Sequence, residues 1–425
     1  MIPSYRSEKS VTYEIIAQKG EVELLEGVKT KTYGYNGMVL GPVIRLRRGQ
    51  NAKLRAKNDL EETTTFHWHG LIAPSINDGG PHEEVYPGKE EELSFSVNQG
   101  AATLWLHPHP HKKTASQVYN GLAALIYIED EVSDSLDLPK TYGVDDIPLI
   151  IQDRFFTEEG QWDYSKAYQA DGTLGDTTLV NATINPMFDL TRNQTRLRVL
   201  NGSNARNYYL HLTNDRPFKQ IATDGGFLEQ PVELKELLLT PGERAEIIID
   251  THDLSYGDSL ELLTEDHVLI EFYKRNKSEK NSVVPEKLTV IPIPTSEDKN
   301  KAVKREFHLS GMGETVAING EKFDMSVINF ESERHQPEIW RVINDPSMMG
   351  GMIHPFHIHG TQFQLLSRNG QLVTGQDKGW KDTVGLLPNE TIELLVKFKE
   401  PGVFMYHCHN LEHEDNGMMG QFLVN

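Results

Sequence analysis

The chain is predicted to be all-β and to fold as three consecutive β-sandwich units. Three observations carry this expectation. Its 425 residues fit three domains at about 150 residues each. Short runs rich in Val, Ile, Leu, Thr and Tyr alternate with Gly and Pro turn signals along most of the length, as in sandwiches. One strand-and-turn pattern also occurs three times.

Expected strands include residues 93–97, 196–200, 246–249 and 393–398, and one short helix is expected over 115–124. The first copy of the repeat runs from Arg48 through Lys53-Leu54-Arg55-Ala56-Lys57-Asn58. The second runs from Arg192 through Arg196-Leu197-Arg198-Val199-Leu200-Asn201, and the third from Arg334 through Ile339-Trp340-Arg341-Val342-Ile343-Asn344. A later turn recurs as Pro87-Gly88-Lys89-Glu90, Pro241-Gly242-Glu243-Arg244 and Pro388-Asn389-Glu390. Boundaries near 135 and 295 give domains 1–135, 136–295 and 296–425. The stretch 276–304, polar and carrying Pro285, Pro292 and Pro294, reads as a linker.

Composition excludes several function classes. With 62 acidic and 42 basic side chains the net charge is −20, so no basic face awaits nucleic acid. No apolar run reaches the 18 residues a membrane span needs. Cys408 is the lone cysteine, so no internal disulfide forms. Residues 1–10 are polar and lack a signal-peptide core. A cytoplasmic location is expected if Met1 is the native start, and an extracytoplasmic one if a leader was removed.

Histidine spacing carries the chemistry. Seventeen histidines would give roughly 0.7 His-x-His pairs by chance. The chain has five, at 67/69, 107/109, 109/111, 357/359 and 407/409. On a strand, residues i and i+2 share a face, so each pair can aim two imidazoles at one metal. Alternation turns Cys408 away from His407 and His409. A thiolate, two imidazoles and a weak thioether make a blue-copper electron-transfer centre. Cys408, His413 and Met418 supply three of these, and His354 is the candidate for the second imidazole. A structural zinc site would want four closed ligands at finger-like spacing, which one cysteine and these pairs do not provide. Copies one and three carry this chemistry. Copy two lacks it and reads as a spacer.

His67-Trp68-His69-Gly70, His107-Pro108-His109, His354-Pro355-Phe356-His357-Ile358-His359-Gly360 and His407-Cys408-His409 through Met418 resemble the four copper motifs of multicopper oxidases. The bacterial laccase-like and copper-efflux oxidases are the most similar subgroup, and the likeness spans nearly the whole chain. It implies three cupredoxin-like Greek-key domains and four coppers per chain. It also implies a type 1 copper on His354, Cys408, His413 and Met418, and a type 2 copper on His67 and His357. The paired type 3 coppers would take His69, His107, His109, His359, His407 and His409. Asp78 and Glu414 are similar in position to the family's proton-relay acids, and carboxylates suit that task. Asp382 is a candidate to orient a ligand imidazole, and His111 a candidate neighbour of the cluster.

The implied reaction couples oxidation of a small-molecule reductant to reduction of dioxygen to water, in a monomer without nucleic-acid or membrane partners. Two reductants compete. Copper-efflux oxidases carry a methionine-rich insert, but here Ser310-Gly311-Met312-Gly313-Glu314 is short, which favours phenols or aromatic amines and suggests an open type 1 site. Met348, Met349 and Met352 precede His354, and soft thioethers would instead suit Cu(I) and a role in copper tolerance. A copper-free binding or cell-division scaffold is a third reading, opposed by the complete ligand set. Two-domain copper nitrite reductases are shorter and lack the paired type 3 histidines.

Overall fold

The computed structural model describes residues 1, 3–265, 267–277, 283–346 and 350–425. Its strands form three successive pairs of packed sheets. The three copies of the sequence repeat are the same structural piece. Ser10–Leu25 runs parallel to Asn51–Asn58, Asp146–Arg154 to Gln194–Asn201, and Val303–Ser310 to Glu338–Asn344. Each second strand then pairs antiparallel with the strand after the recurrent turn: Glu90–Ser96, Arg244–Asp250 and Thr391–Val396.

The terminal Asn of each repeat has a clear task. Asn58 Nδ2 donates to the carbonyls of Glu62 and Val85 at 2.8 and 2.7 Å. Asn201 does the same to Arg206 and Leu239 at 2.7 and 2.8 Å, and Asn344 to Met352 and Leu386 at 2.8 and 3.1 Å. A primary amide has two N–H donors, so it can tie two loop carbonyls at the sheet end, where buried acceptors must find partners.

Each unit has its own apolar core. The first is built around Leu54, Phe66 and Trp68, the middle one around Leu197, Tyr208 and Ile247, and the third around Trp340, Phe356 and Phe422. The second sheet of the first unit holds Ile44–Arg47, Ala124–Glu129, Ala102–His107 and His67–His69. That of the third holds Phe330–Ser332, Met419–Val424, Gly402–Cys408, His354–Ile358 and Thr383–Leu386. These two sheets carry the histidines.

Two expectations need correction. The helix is shorter than 115–124: it spans Thr114–Tyr119, with Gly121 at φ 114° ending it and Ala124 opening a strand. No side chain of its own caps it, and Asp415 of the third unit accepts from Thr114 N and Ala115 N, both at 3.0 Å. The stretch 276–304 is also no free linker among its described residues. Val284 and Leu288 are buried with Ala101, Phe227 and Ile248, and Ser296–Lys301 is a helix capped by Thr295. Its apolar side chains gain more from packing than a solvated tether would.

The repeat arginines diverge with their surroundings. Arg55 and Arg341 are exposed and pair with Glu92 and Glu306. Arg198 is buried because the first unit covers its sheet. It donates to both oxygens of Asp146 at 2.7 and 2.9 Å and to Glu246 at 3.2 Å, and stacks 4.0 Å from the Tyr127 ring centroid. Removing one member of such a pair strands buried charge. Arg198→Met is therefore expected to cost about 3–5 kcal/mol, read as a lower urea midpoint. An unchanged midpoint would show that solvent reaches Asp146 and Glu246.

Candidate metal centre

Strand register brings the histidines together. His67 lies opposite His107 across one ladder, and His357 opposite His407 across another. In three of the four pairs one member lies just past a strand end: His109, His359 and His409. The first and third units then meet face to face. His67 stacks on His359 with ring centroids 4.0 Å apart, and His69 on His357 at 3.8 Å. All eight rings are buried.

Proton bookkeeping shows which nitrogens are free. A neutral imidazole has one N–H and one lone pair, and a carbonyl can only accept. The Nδ1 atoms of His67, His107, His357 and His407 each face a backbone carbonyl, of Asp78, Pro108, Asp382 and Cys408, at 2.8, 2.9, 2.8 and 3.1 Å. His359 Nδ1 faces Asp78 Oδ2 at 2.6 Å. These five keep Nε2 as the lone pair. His69 is reversed, since its Nε2 lies 3.0 Å from Asp382 Oδ1, leaving Nδ1 free.

The free nitrogens have no protein donor to meet. Among the described residues, His67 Nε2 and His357 Nε2 are buried without a partner, as are both ring nitrogens of His409. His359 Nε2 and His407 Nε2 lie 3.0 Å apart, and His69 Nδ1 lies 3.3 Å from His107 Nε2. Lone pairs facing each other at such distances repel unless a cation lies between them. Donor atoms of His69, His107 and His409 lie within 4.8 Å of one another, and so do those of His109, His359 and His407. His69 also falls in a group with His67 and His357, but with Nε2 at Asp382 it has one lone pair to give, on Nδ1, and that nitrogen faces His107. That leaves His67 and His357 as a third donor set. The residues fit metal.

A second centre lies behind the strand. Cys408 points into the core of the third unit, with Sγ 3.5 Å from His354 Nδ1 and 3.8 Å from His413 Nδ1. Burial pushes the thiol up to about 12, so only a bound cation would hold it as thiolate at neutral pH. Met418 is buried beside it, its backbone bonded to Cys408 N and His413 O at 3.0 and 2.8 Å. His354 is only 2% exposed because its ring turns inward to Cys408, so the short 310–314 segment does not lay it bare. Met348 and Met349 lie outside the described residues, and Met352 is half-buried.

The multicopper oxidase family models match residues 16–133 and 293–425, the two histidine-bearing units. A multicopper oxidase of Staphylococcus haemolyticus is 45% identical over 97% of this chain and 88% of its own length. The chain belongs to the multicopper oxidase family. A laccase crystal structure from Pediococcus acidilactici superposes with a TM-score of 0.97 at 45% identity, covering 100% of this chain and 92% of that one. A cell-division protein of Escherichia coli is 34% identical over 100% of this chain and 92% of its length. The three units are thus cupredoxin-like, and the protein is an oxidoreductase that uses oxygen and copper.

Two acids border the multicopper oxidase nest. Burial opposes ionisation of Asp78, but His359 and His67 outweigh it and hold the carboxyl well below its usual range. Glu414 lies 3.4 Å from His109 Nε2 and 3.2 Å from His407 Nδ1, and burial pushes it well above the carboxylate range. His111 packs instead against Phe323, ring centroids 5.5 Å apart. Ten of the 17 histidines fall in donor groups among the described residues.

Sequence reading missed the contribution of the middle unit. It has no histidine at the nest, yet Gly242 sits so close to the His409 ring that a Cβ there would fall 2.9 Å from it. Arg244 donates to both Asp382 oxygens at 2.6 Å. At the other centre, Glu412 accepts from Thr173 N, Asn204 Nδ2 and Tyr164 Oη at 3.0, 2.8 and 3.1 Å, fixing the turn that bears His413. The middle unit is more than a spacer. The recurrent Pro-Gly-Glu-Arg turn was the available signal.

Burial also sets the pH dependence of the metal-free chain. It lowers His354 and His409 to about 3 and His359 and His413 to about 4, and His69, His107, His109, His357 and His407 lie well below their ordinary value. An unfolded histidine takes up its proton near pH 6.5. This contribution is therefore whole above about pH 6.5 and drains as pH falls. Half-buried Asp415 and Glu83, raised to about 8, half-buried Glu91, raised to about 7, and buried Asp224, raised to about 6, act in the opposite sense with Glu412 and Glu414. Nine histidines outnumber these six acids. The melting temperature of metal-free protein should fall from pH 6.5 to 4.5. A rise over that range would show the acids in control.

Proposed function

We propose that the chain is a laccase-like multicopper oxidase holding four coppers. His354, Cys408, His413 and Met418 would bind the type 1 ion, and His67 and His357 the type 2 ion. His69 with His107 and His409, and His109 with His359 and His407, would bind the type 3 pair. The observation that carries this is the set of buried donor nitrogens with no protein partner, arranged in separate groups beside a buried thiol. Copper bound there supplies one-electron oxidation at Cys408 and four-electron reduction of dioxygen at the imidazole nest.

The chain's own residues set the conditions. Cys408 is joined by peptide bonds to His407 and His409, a short covalent route between the two centres. Asp78 presents an ionised carboxylate at His359, and Glu414, held neutral by burial, offers a proton beside His109 and His407. Phenols or aromatic amines are the proposed reductants, supported by the short 310–314 segment. The alternative is Cu(I), favoured by Met348, Met349 and Met352 before His354. A monomer is proposed, since a single chain carries the complete donor set.

The copper-loaded protein should be intensely blue, and Cys408→Ser should be colourless and inactive. A Cys408→Ser variant oxidising substrate at the normal rate would sink the type 1 assignment. Glu414→Gln should keep its copper and still accept electrons at the blue centre, but reoxidise slowly in dioxygen by stopped-flow absorbance; normal reoxidation would remove Glu414 from proton delivery. Leu in place of Met348, Met349 and Met352 keeps apolar volume and removes only sulfur. Steady-state rates on a phenol and on Cu(I) should then both survive. Selective collapse of Cu(I) oxidation would make copper tolerance the better account.

A further inference from the structure

We propose that Arg244, from the unit without ligands, acts through Asp382 as a positioning residue that fixes the proton of His69 on Nε2 and so decides which nitrogen His69 offers to a metal. Among the described residues, His69 is the one member common to two all-histidine candidate groups, with His67 and His357 or with His107 and His409. One lone pair can serve only one group at a time.

The surroundings of Nε2 can only accept. Thr383 Oγ1, 3.1 Å away, already donates its hydrogen to Asp382 Oδ1 at 2.9 Å. Asp382 Oδ1 itself is the other neighbour, at 3.0 Å. This holds only while the carboxylate keeps its orientation, and Arg244 sets that orientation. Its Nη1 and Nη2 grip the two oxygens at 2.6 Å each, and Gln362 Nε2 donates to Oδ2 at 2.7 Å. The remaining guanidinium hydrogens are spent on carbonyls: Nε on Thr103 at 3.0 Å, Nη1 on Gly242 at 3.0 Å and Nη2 on Asp224 at 3.2 Å. All five donors are used, and the acceptors come from all three units. A planar fork held this way cannot turn, and a lysine could not reproduce it.

Release of Asp382 opens an alternative. His69 Nδ1 lies 3.3 Å from His107 Nε2, a ready hydrogen bond if the proton moves to Nδ1. That bond would occupy the lone pair of His107 and leave that of His69 on Nε2, removing two members of one donor group together.

The test is long-range proton–nitrogen NMR on metal-free, 15N-histidine-labelled full chain. Wild-type His69 should be protonated on Nε2, opposite to His67, His107, His357, His359 and His407. Arg244→Gln should move His69 toward the Nδ1-protonated form, and Arg244→Lys should give a mixture. In Cu(II) titrations, Arg244→Gln should lose about 10–100-fold in copper affinity at the nest, the usual cost of removing such a partner, while the blue colour at Cys408 stays. Wild-type His69 protonated on Nδ1 would overturn the proposal without any variant. So would a variant whose other histidine signals are unmoved and whose His69 stays wholly on Nε2. If Arg244→Gln does not fold, Arg244→Lys decides by the same signal. The copper arm rests on the proposed ligand set, but the NMR arm does not: a wild-type chain that bound no copper would overturn the ligand set alone.

Discussion

The nest of buried imidazoles must keep one lone pair of each ring free and aimed inward, and much of the architecture follows from that constraint. Leaving a buried polar atom without a partner costs about 1–3 kcal/mol. The protein accepts that cost at several nitrogens together. It does so by anchoring the opposite nitrogen of six of the eight rings, four of them on backbone carbonyls that cannot donate. Backbone acceptors suit this task because neither titration nor rotamer change can reverse them. The ladders that hold those carbonyls therefore specify the chemistry as well as the fold. The stacking of His67 on His359 and His69 on His357 shows why two separate units are needed, since each supplies one half of the ring stack.

Two half-sites on two units pose a registration problem, and the middle unit answers it. Arg244 ties Thr103, Asp224 and Asp382, one residue from each unit, through a single guanidinium. Lys381, next in chain to Asp382, bonds Asp224 and Glu243 at 3.0 and 3.1 Å, so both neighbours grip the same wall. Glu412 ties the turn at His413 to the middle unit from the other side. Exposed ion pairs would hold such a junction loosely. Buried ones break only at high cost once formed, and they punish misalignment.

Much of this was legible in the sequence, for reasons that also explain what was not. The paired histidines, Cys408 and the threefold repeat are local patterns with fixed periods, and strand geometry turns a spacing of two into a shared face. Asp78, Glu414 and Asp382 sit beside motif residues and could be singled out by position. The tautomer of His69 could not, because it depends on a residue 313 positions away. Arg244 lay inside a noticed repeat, but its counterparts Glu90 and Thr391 follow the same turn with no cluster to serve. The packing of Val284 and Leu288 was missed because proline and charge mark a loop without saying what its few apolar side chains meet.

Fold likeness alone does not settle function, and this chain illustrates why. A laccase and a cell-division protein both match it along nearly its whole length. Sandwich cores such as Leu54, Tyr208 and Trp340 would serve either purpose, because packing constrains shape and is indifferent to chemistry. What discriminates is a feature with no structural benefit. Buried lone pairs at 3.0 Å, a thiol raised to about 12 between two imidazoles, and a carboxylate gripped by an arginine to orient one ring all weaken the metal-free protein. A scaffold selected only for its surface would gain by replacing them with apolar side chains of similar volume. Their joint presence is best explained by a bound cation that repays each of them at once, and this ties the chain to oxidase chemistry more firmly than overall likeness does.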